Sequence, residues 1–213
     1  MRDERFPDFG TLRCARAYER VAPFYDLLDG PYEYLWKRRL RSVVMARTHG
    51  RILDAAVGTG KNMPFYPPGS EVVVVDLSDA MLARARQRAS RLGLDVTLLQ
   101  RDLADTGLPD ASFDSIVAAF VFCCIPDARK GTALRELRRL LAEGGRVYLL
   151  DYTKPRGPAL RTYMRVMAPW LRFMFSASYD NYIEQHFTSA GLKLEEQRDF
   201  FGGGVVLYVL RPS

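Results

Sequence analysis

Apolar residues follow two rhythms along this chain. Short runs centred on branched aliphatics occur at Ile52 to Val57, Val72 to Val75, Phe113 to Phe120, Arg146 to Asp151 and Val205 to Leu210; turn residues or charges bound them, and they read as strands. Asp95 to Gln100 and Leu192 to Arg198 bring the set to seven. Between them lie helical stretches. Ser78-Asp79-Ala80-Met81 caps a helix that reaches Leu92 and stops at Gly93, and Asp127 to Glu143 forms another, closed by Gly144-Gly145. A further helix is expected from about Tyr179 to Ala190. Strand and helix alternate, which predicts an α/β fold with a mostly parallel seven-stranded sheet and helices on both faces.

Two segments break this rhythm. Residues 1–47 read as a helical segment, with Leu12, Ala15, Tyr18, Val21 and Ala22 at helical spacing, an interruption at Pro23 and a restart at Gly30-Pro31. Residues 155–177 carry Tyr163, Met164, Met167, Trp170, Phe173, Met174 and Phe175, and read as an aromatic lid inserted over the carboxyl ends of the strands.

The chemistry gathers at two strand ends. The first apolar run leads into Gly58-Thr59-Gly60, and the second closes on Asp76. Glycines allow tight dihedrals and close approach of the backbone to a ligand, and an acid at a strand's carboxyl end can accept both hydroxyls of a ribose. The dinucleotide pattern wants a third glycine where this chain has Met63, followed by Pro64. The expected ligand therefore has a nucleoside but no pyrophosphate.

The pattern Asp54-x-x-x-Gly58-x-Gly60 with its downstream Asp76 resembles the class I S-adenosylmethionine (SAM) methyltransferases. Three further stretches, Asp76-Leu77-Ser78-Asp79-Ala80-Met81-Leu82, Arg101-Asp102-Leu103 and Leu140 to Arg146, extend the resemblance over residues 51–151. It implies a Rossmann-like fold with SAM as cofactor. Asp76 would hold the ribose, Leu77 would cover adenine with Met81 near it, and Asp102 would take the adenine amino group. Asp54 would order the glycine turn, with the methionyl ammonium as a partner, and Tyr18, Asn62, Leu103 and Phe120 complete the expected cofactor set.

Within that superfamily, Tyr18 to Asp26 and Leu150 to Pro155 resemble the group holding the menaquinone and ubiquinone C-methyltransferases and the soluble bacterial phospholipid N-methyltransferases. Asn62 to Gly69 and Phe122 to Asp127 look closer to the phospholipid and small-thiol branches, and the insert before the last helix looks shortened relative to the quinone enzymes. The expected reaction is N-methylation of phosphatidylethanolamine; a quinone-ring C-methyltransferase, a small-thiol or other small-molecule enzyme, and a non-catalytic SAM-binding regulator are the alternatives. Because SAM carries its own leaving group, such an enzyme mainly aligns acceptor and methyl and needs no elaborate acid/base apparatus.

An ethanolamine amine must shed a proton, and its methylated products are cations that aromatic faces can hold. Tyr18, Tyr25, Trp170, Tyr179 and Tyr182 are the aromatic candidates; Tyr25, in the family's Tyr-Asp motif, is expected to shape the catalytic site. His186, placed by helical spacing on a face with Tyr179, Tyr182, Ile183 and Ala190, is the candidate proton acceptor. Cys123 and Cys124 have no activating base near them in sequence and read as packing.

Composition narrows the setting. At 213 residues and 48% hydrophobic content the chain suits one domain with a sizeable core. The start Met1-Arg2-Asp3-Glu4-Arg5 has no signal-peptide pattern, and the three cysteines form neither a disulfide framework nor a metal motif. A cytoplasmic location is expected, with no metal and no obligate protein partner. A net charge of +6 suits an anionic partner. The basic and aromatic residues of Pro31 to Arg41, with Arg161, Arg165 and Arg172, suggest an anionic membrane surface. Nucleic acid fits poorly, since the end of strand four lacks the Asn/Asp-Pro-Pro-Tyr/Phe pattern used on base amines.

Overall fold

The computed structural model describes residues 16–175 and 182–213. Seven strands form one sheet: β1 (Ile52–Ala55), β2 (Val72–Asp76), β3 (Thr97–Gln100), β4 (Phe113–Ala119), β5 (Leu141–Tyr152), β6 (Leu192–Phe200) and β7 (Val205–Pro212). Their order is β3-β2-β1-β4-β5-β7-β6, and β7 runs antiparallel to both its neighbours in an otherwise parallel sheet. The order reverses between β1 and β4, so a crevice opens beyond their carboxyl ends, where open α/β sheets bind ligands.

Period-two alternation sends successive side chains to opposite faces, and both faces are covered. Leu53, Val73, Val75, Ile116 and Ala118 pack beneath α5 (Asp127–Leu140), against Ala133, Leu134 and Leu137. On the other face Ile52, Val72, Val74 and Val117 meet α3 (Arg38–Met45) through Leu40, Val44 and Met45, and α4 (Asp79–Leu92) through Leu82, Ala85 and Ala89. The α4 boundaries agree with their sequence signals: the Ser78 hydroxyl accepts from the Met81 N–H, and the helix stops at Gly93.

The amino-terminal segment begins in the described chain as α1 (residues 16–21), breaks at residues 22–24 around Pro23 as expected, and resumes as α2 (Tyr25–Tyr32). Gly30-Pro31 starts no new helix. Pro31 lies inside α2, which passes into a π-helical turn, Glu33–Lys37, and then into α3. In that turn the Arg38 N–H reaches back five residues to the Glu33 carbonyl.

Three other expectations change. Leu141 to Glu143 leave the helix and join β5, because Leu141 pairs with Phe113 ahead of a register shift. Residues 155–177 are mainly a helix, α6 (Pro158–Phe175). The helix expected over Tyr179 to Ala190 is, in its described part, two short 3₁₀ turns, Ile183–His186 and Thr188–Ala190. Leu12, Cys14, Ala15 and Tyr179 lie outside the described residues, as does the side chain of Trp170. Among the described residues, no helix is long and apolar enough to cross a membrane.

Candidate active site

Two adjoining cavities occupy the carboxyl end of the sheet. The first, of about 130 Å³, lies over β1, β2 and β4 and is lined by Gly58, Asp76, Leu77, Met81, Asp102, Leu103 and Phe120, with Tyr18 and Tyr25 from the amino-terminal helices. Asp76 is its polar centre. One carboxylate oxygen accepts from the Gly58 N–H at 2.8 Å and the other from the Ser78 N–H at 2.9 Å. Burial raises its pKa to about 6, against the lowering pull of these backbone donors. Each oxygen keeps a lone pair for a ligand hydroxyl.

The glycine turn has steric reasons for its sequence. Gly60 has φ +82°, and a Cβ there would meet the Met63 sulfur at 2.7 Å. Gly58 has φ +57°, and its missing Cβ would point into open space, so the absent side chain leaves room for a ligand. Ala56 and Phe120 also hold positive φ, both near 60°, where β1 and β4 run into the cavity wall. Asp26 fastens α2 over this turn. It accepts from the Thr59 hydroxyl at 2.7 Å, pairs with Lys61 at 3.2 Å, and pairs with Arg88 of α4. Burial opposes its ionised form, but these three partners outweigh it and hold its carboxyl below the ordinary range. Glu19 of α1 accepts from the Ser78 hydroxyl at 2.9 Å, bringing Tyr18 to the cavity. At the far end Asp102 is held by Arg129 at 2.9 Å and by the Ala104 N–H.

Not every residue expected at the cofactor lines this cavity. Asp54 is completely buried behind the turn, its oxygens taken by Asn62 Nδ2 at 2.9 Å and the Tyr66 hydroxyl at 2.6 Å. Desolvation raises its pKa to about 6. Asn62 in turn accepts from Arg41 at 2.9 Å. Asp54, Asn62 and Gly60 therefore brace the turn from behind, with the ligand-facing surface left to Gly58 and Thr59.

The second cavity, of about 270 Å³, shares Tyr18, Tyr25, Phe120 and Cys124 with the first and extends away from it under α6. Its walls are aromatic. Trp36 packs edge-on against Phe120 at 5.7 Å, Tyr152 at 6.3 Å and Phe201 at 5.2 Å, and Phe120 lies 5.3 Å from Tyr152. Inside this cluster the Lys37 ammonium sits 4.9 Å from the Phe120 ring centre and 5.7 Å from those of Trp36 and Tyr152. Burial, reinforced by the Asp29 carboxylate, pushes the Tyr25 phenol well above its ordinary value. Tyr152 is pushed up in the same direction, chiefly by burial.

Sequence reading missed the charges of this region. Asp29, Glu33, Lys37 and Arg41 recur every fourth residue, and all four are buried. Lys37 pairs with Asp29 at 2.5 Å and Arg41 with Glu33 at 3.2 Å. Each pair is eight residues apart, about 12 Å of rise in a regular α-helix, and both intervals include the π-helical turn. The outer face of the same helix carries Leu27, Tyr34 and Leu35, each more than three-quarters exposed. Lys37 and Arg41 thus leave the basic surface expected for this helix, and Arg38 and Arg39 stay on it.

His186 is not at either cavity. It lies against α5, 3.7 Å from an Asp127 oxygen and 3.3 Å from Gln185 Nε2, because a 3₁₀ turn aims the side chain differently from the helix expected there. Tyr182 also lines neither cavity; it is partly exposed and faces Lys154. Cys123 is buried, its N–H on Asp151 at 3.1 Å, and its thiol is pushed up by contact with Cys124 and by burial. Among the described residues, no group of histidine, cysteine and acidic side chains could hold a metal ion.

A doubly wound sheet with a glycine turn, a strand-end carboxylate and no pyrophosphate cradle defines a nucleoside-binding α/β enzyme of the Rossmann type. The chain belongs to the class I SAM-dependent methyltransferases, and its cofactor is SAM. The methyltransferase-domain family profile matches residues 52–145. A demethylmenaquinone methyltransferase of Thermus thermophilus is 35% identical over 78% of this chain and 79% of its own length. A phosphatidylethanolamine N-methyltransferase of Cereibacter sphaeroides is 31% identical over 92% of this chain and 95% of its own. In fold, the DhpI–SAH complex covers 96% of this chain and 98% of its own, with a TM-score of 0.70 at 22% identity. The residues present fit SAM: Asp76 offers lone pairs to ribose hydroxyls, Leu77, Met81 and Leu103 give an apolar slot, and Gly58 leaves the space open.

Proposed function

We propose that this protein methylates the amine of phosphatidylethanolamine at an anionic membrane surface. SAM supplies a methyl group already activated on a sulfonium; the protein's task is to hold the acceptor in line and keep water out. The observation that carries the reading is the aromatic cavity adjoining the cofactor cavity, whose mouth bears the half-exposed Tyr163 and Phe201. The helix beside it turns Leu27, Tyr34 and Leu35 outward, next to the exposed Arg38 and Arg39. Apolar side chains flanked by basic ones suit the headgroup zone of an anionic bilayer. Further support is the near full-length match to the Cereibacter phosphatidylethanolamine enzyme. In this reading Tyr25, on the wall common to both cavities, shapes the place where methyl and amine meet.

Methylation of a quinone-ring carbon is the second reading. It is favoured by the higher identity of the Thermus relative and by Lys37, whose ammonium already sits among the rings and would attract an acceptor's negative oxygen more than a second cation. The deciding experiment offers labelled SAM with phosphatidylethanolamine vesicles, a demethylquinol and a small thiol, and identifies the product by mass. Methylated phosphatidylethanolamine is expected. A SAM-binding preparation that leaves the vesicles unmethylated and methylates the quinol would replace the first reading with the second.

A further inference from the structure

Asp29 has one carboxylate oxygen in use and one idle. It is 3% exposed and lines the aromatic cavity. Oδ1 accepts from the Lys37 ammonium at 2.5 Å; Oδ2 is the buried side-chain polar atom that lacks any hydrogen-bond partner among the described residues. Buried polar groups are almost always paired, and one that is not calls for an explanation. The cavity around it holds about 270 Å³ and is walled largely by Tyr25, Tyr32, Trp36, Phe120 and Tyr152.

We infer that Asp29 is the acceptor-binding carboxylate: Oδ2 accepts a hydrogen bond from the N–H or O–H of the group to be methylated, and Lys37 holds the carboxylate in place. The inference rests on reading the aromatic cavity as the acceptor site. Lys37 contributes geometry as well as charge, because it occupies Oδ1 and leaves Oδ2 as the oxygen without a partner. For an amine, this contact has a built-in end point. Each methylation forms one N–CH₃ bond as the sulfonium's S–CH₃ bond breaks to leave a thioether, and the displaced N–H proton is released to solvent; a quaternary product has no N–H left to donate, so it loses its hold on Asp29 while the aromatic rings still shield its charge. A quinol, methylated on carbon, keeps its hydroxyl and would not show this loss.

The test is Asp29→Asn. The amide must turn its oxygen to the Lys37 ammonium, which puts the NH₂ group where Oδ2 was and replaces an acceptor with a donor. Because this variant leaves Lys37 without a counter-charge, Asp29→Leu/Lys37→Leu is made alongside it; exchanging a whole buried ion pair for apolar residues of similar size is often tolerated. Both are assayed, with calorimetric SAM affinity, on whichever of phosphatidylethanolamine vesicles, demethylquinol or small thiol the wild-type protein methylates. The expected result is a fall of at least tenfold in kcat/KM for the acceptor, with SAM affinity within twofold of wild type. A folded, SAM-binding double variant with wild-type kcat/KM overturns the role of Asp29. Wild-type activity on the thiol alone, whose reacting atom carries neither N–H nor O–H, overturns the lipid reading and the role of Asp29 together. No activity on any of the three removes the acceptor site and the inference with it.

Discussion

The two cavities are made in different ways. The polar centre of the cofactor cavity is set by backbone: strand ends in fixed register, a glycine turn with left-handed dihedrals, and N–H groups aimed at one carboxylate. Its key residues sit a few positions from the strands that place them. The aromatic cavity, proposed above as the acceptor site, is built from side chains of segments far apart in the chain: α2 and the π-helical turn, the loop after β4, the end of β5, α6 and the turn at Phe201. The glycine turn and the strand-end carboxylate of the first are fixed by backbone geometry. The second can be reshaped one side chain at a time while the strands stay put, so cofactor use and acceptor choice can change separately.

The sharpest way to break that contrast is Asp76→Ala. At about 1.5 to 3 kcal/mol for each charge-assisted bond to a ribose hydroxyl, the variant should weaken SAM binding by roughly two orders of magnitude or more. Calorimetry on the folded variant checks this, and unchanged affinity would take the ribose role from Asp76. Next in size is Tyr25, on the common wall. Tyr25→Ala should lower turnover by roughly tenfold, as expected when an acceptor is slightly misplaced, and Tyr25→Phe should cost little if the ring is what matters. Wild-type turnover in the alanine variant would remove the aromatic from the mechanism.

Acid should pull fold and cofactor in opposite directions. Asp54, Asp76 and Asp151 are each raised by burial to about 6, above their ordinary value of 3.8. Between these values the folded chain binds protons that the unfolded chain releases, so stability rises as pH falls from 7 toward 4. Glu136, held down to about 2 mainly by Arg139, acts in the other sense, and its contribution is lost only as pH drops from 4.5 toward 2. If Asp76 holds the ribose, SAM binding needs it ionised. Thermal melts of the ligand-free protein should show Tm rising by a few degrees from pH 7 to pH 5, while SAM affinity falls below pH 6. Parallel trends would mean that Asp76 does not titrate as its burial implies.

The smallest effect belongs to the membrane. Arg38→Gln should weaken sedimentation with anionic vesicles by a few fold, in line with about 1 kcal/mol for a basic residue at such a surface, and salt should do the same by screening. SAM affinity should not move. Equal binding of the wild-type protein to neutral and anionic vesicles at low salt would remove the electrostatic part of the proposal.

How much could be read beforehand follows from the same contrast. Gly58, Asp76, Leu77, Met81 and the limits of α4 were legible because each depends on a neighbour in sequence: a strand end, a turn, a cap. Asp54 stands behind the glycine turn and not on the cavity wall, for a local reason. It shares strand parity with Ile52, which packs under α3, so it points behind the turn toward Asn62 and Tyr66. His186 failed because helical spacing was applied to what became a 3₁₀ turn. Asp29 and Lys37 were hidden by a good general rule, that charges on a helix face water. The signal that would have exposed them is opposite charge recurring every fourth residue, across from Leu27, Tyr34 and Leu35.

The π-helical turn at Glu33–Lys37 carries one residue more than an α-helix would use. A regular helix advances 100° for each residue, so four-residue steps drift by 40° and would walk the charged stripe off one face by its end. The wider turn absorbs part of that drift between Glu33 and Lys37. Deleting one exposed residue there, Tyr34 or Leu35, would let the hydrogen bonding relax to the ordinary α pattern while Lys37 and Arg41 still face Asp29 and Glu33, because about seven residues of α-helix return to within about 20° of the same face. The same deletion in α2 just after Asp29 would swing Lys37 by about 100° away from its partner. The extra residue of the turn is therefore the place where this helix can lose length and keep its charge pairs.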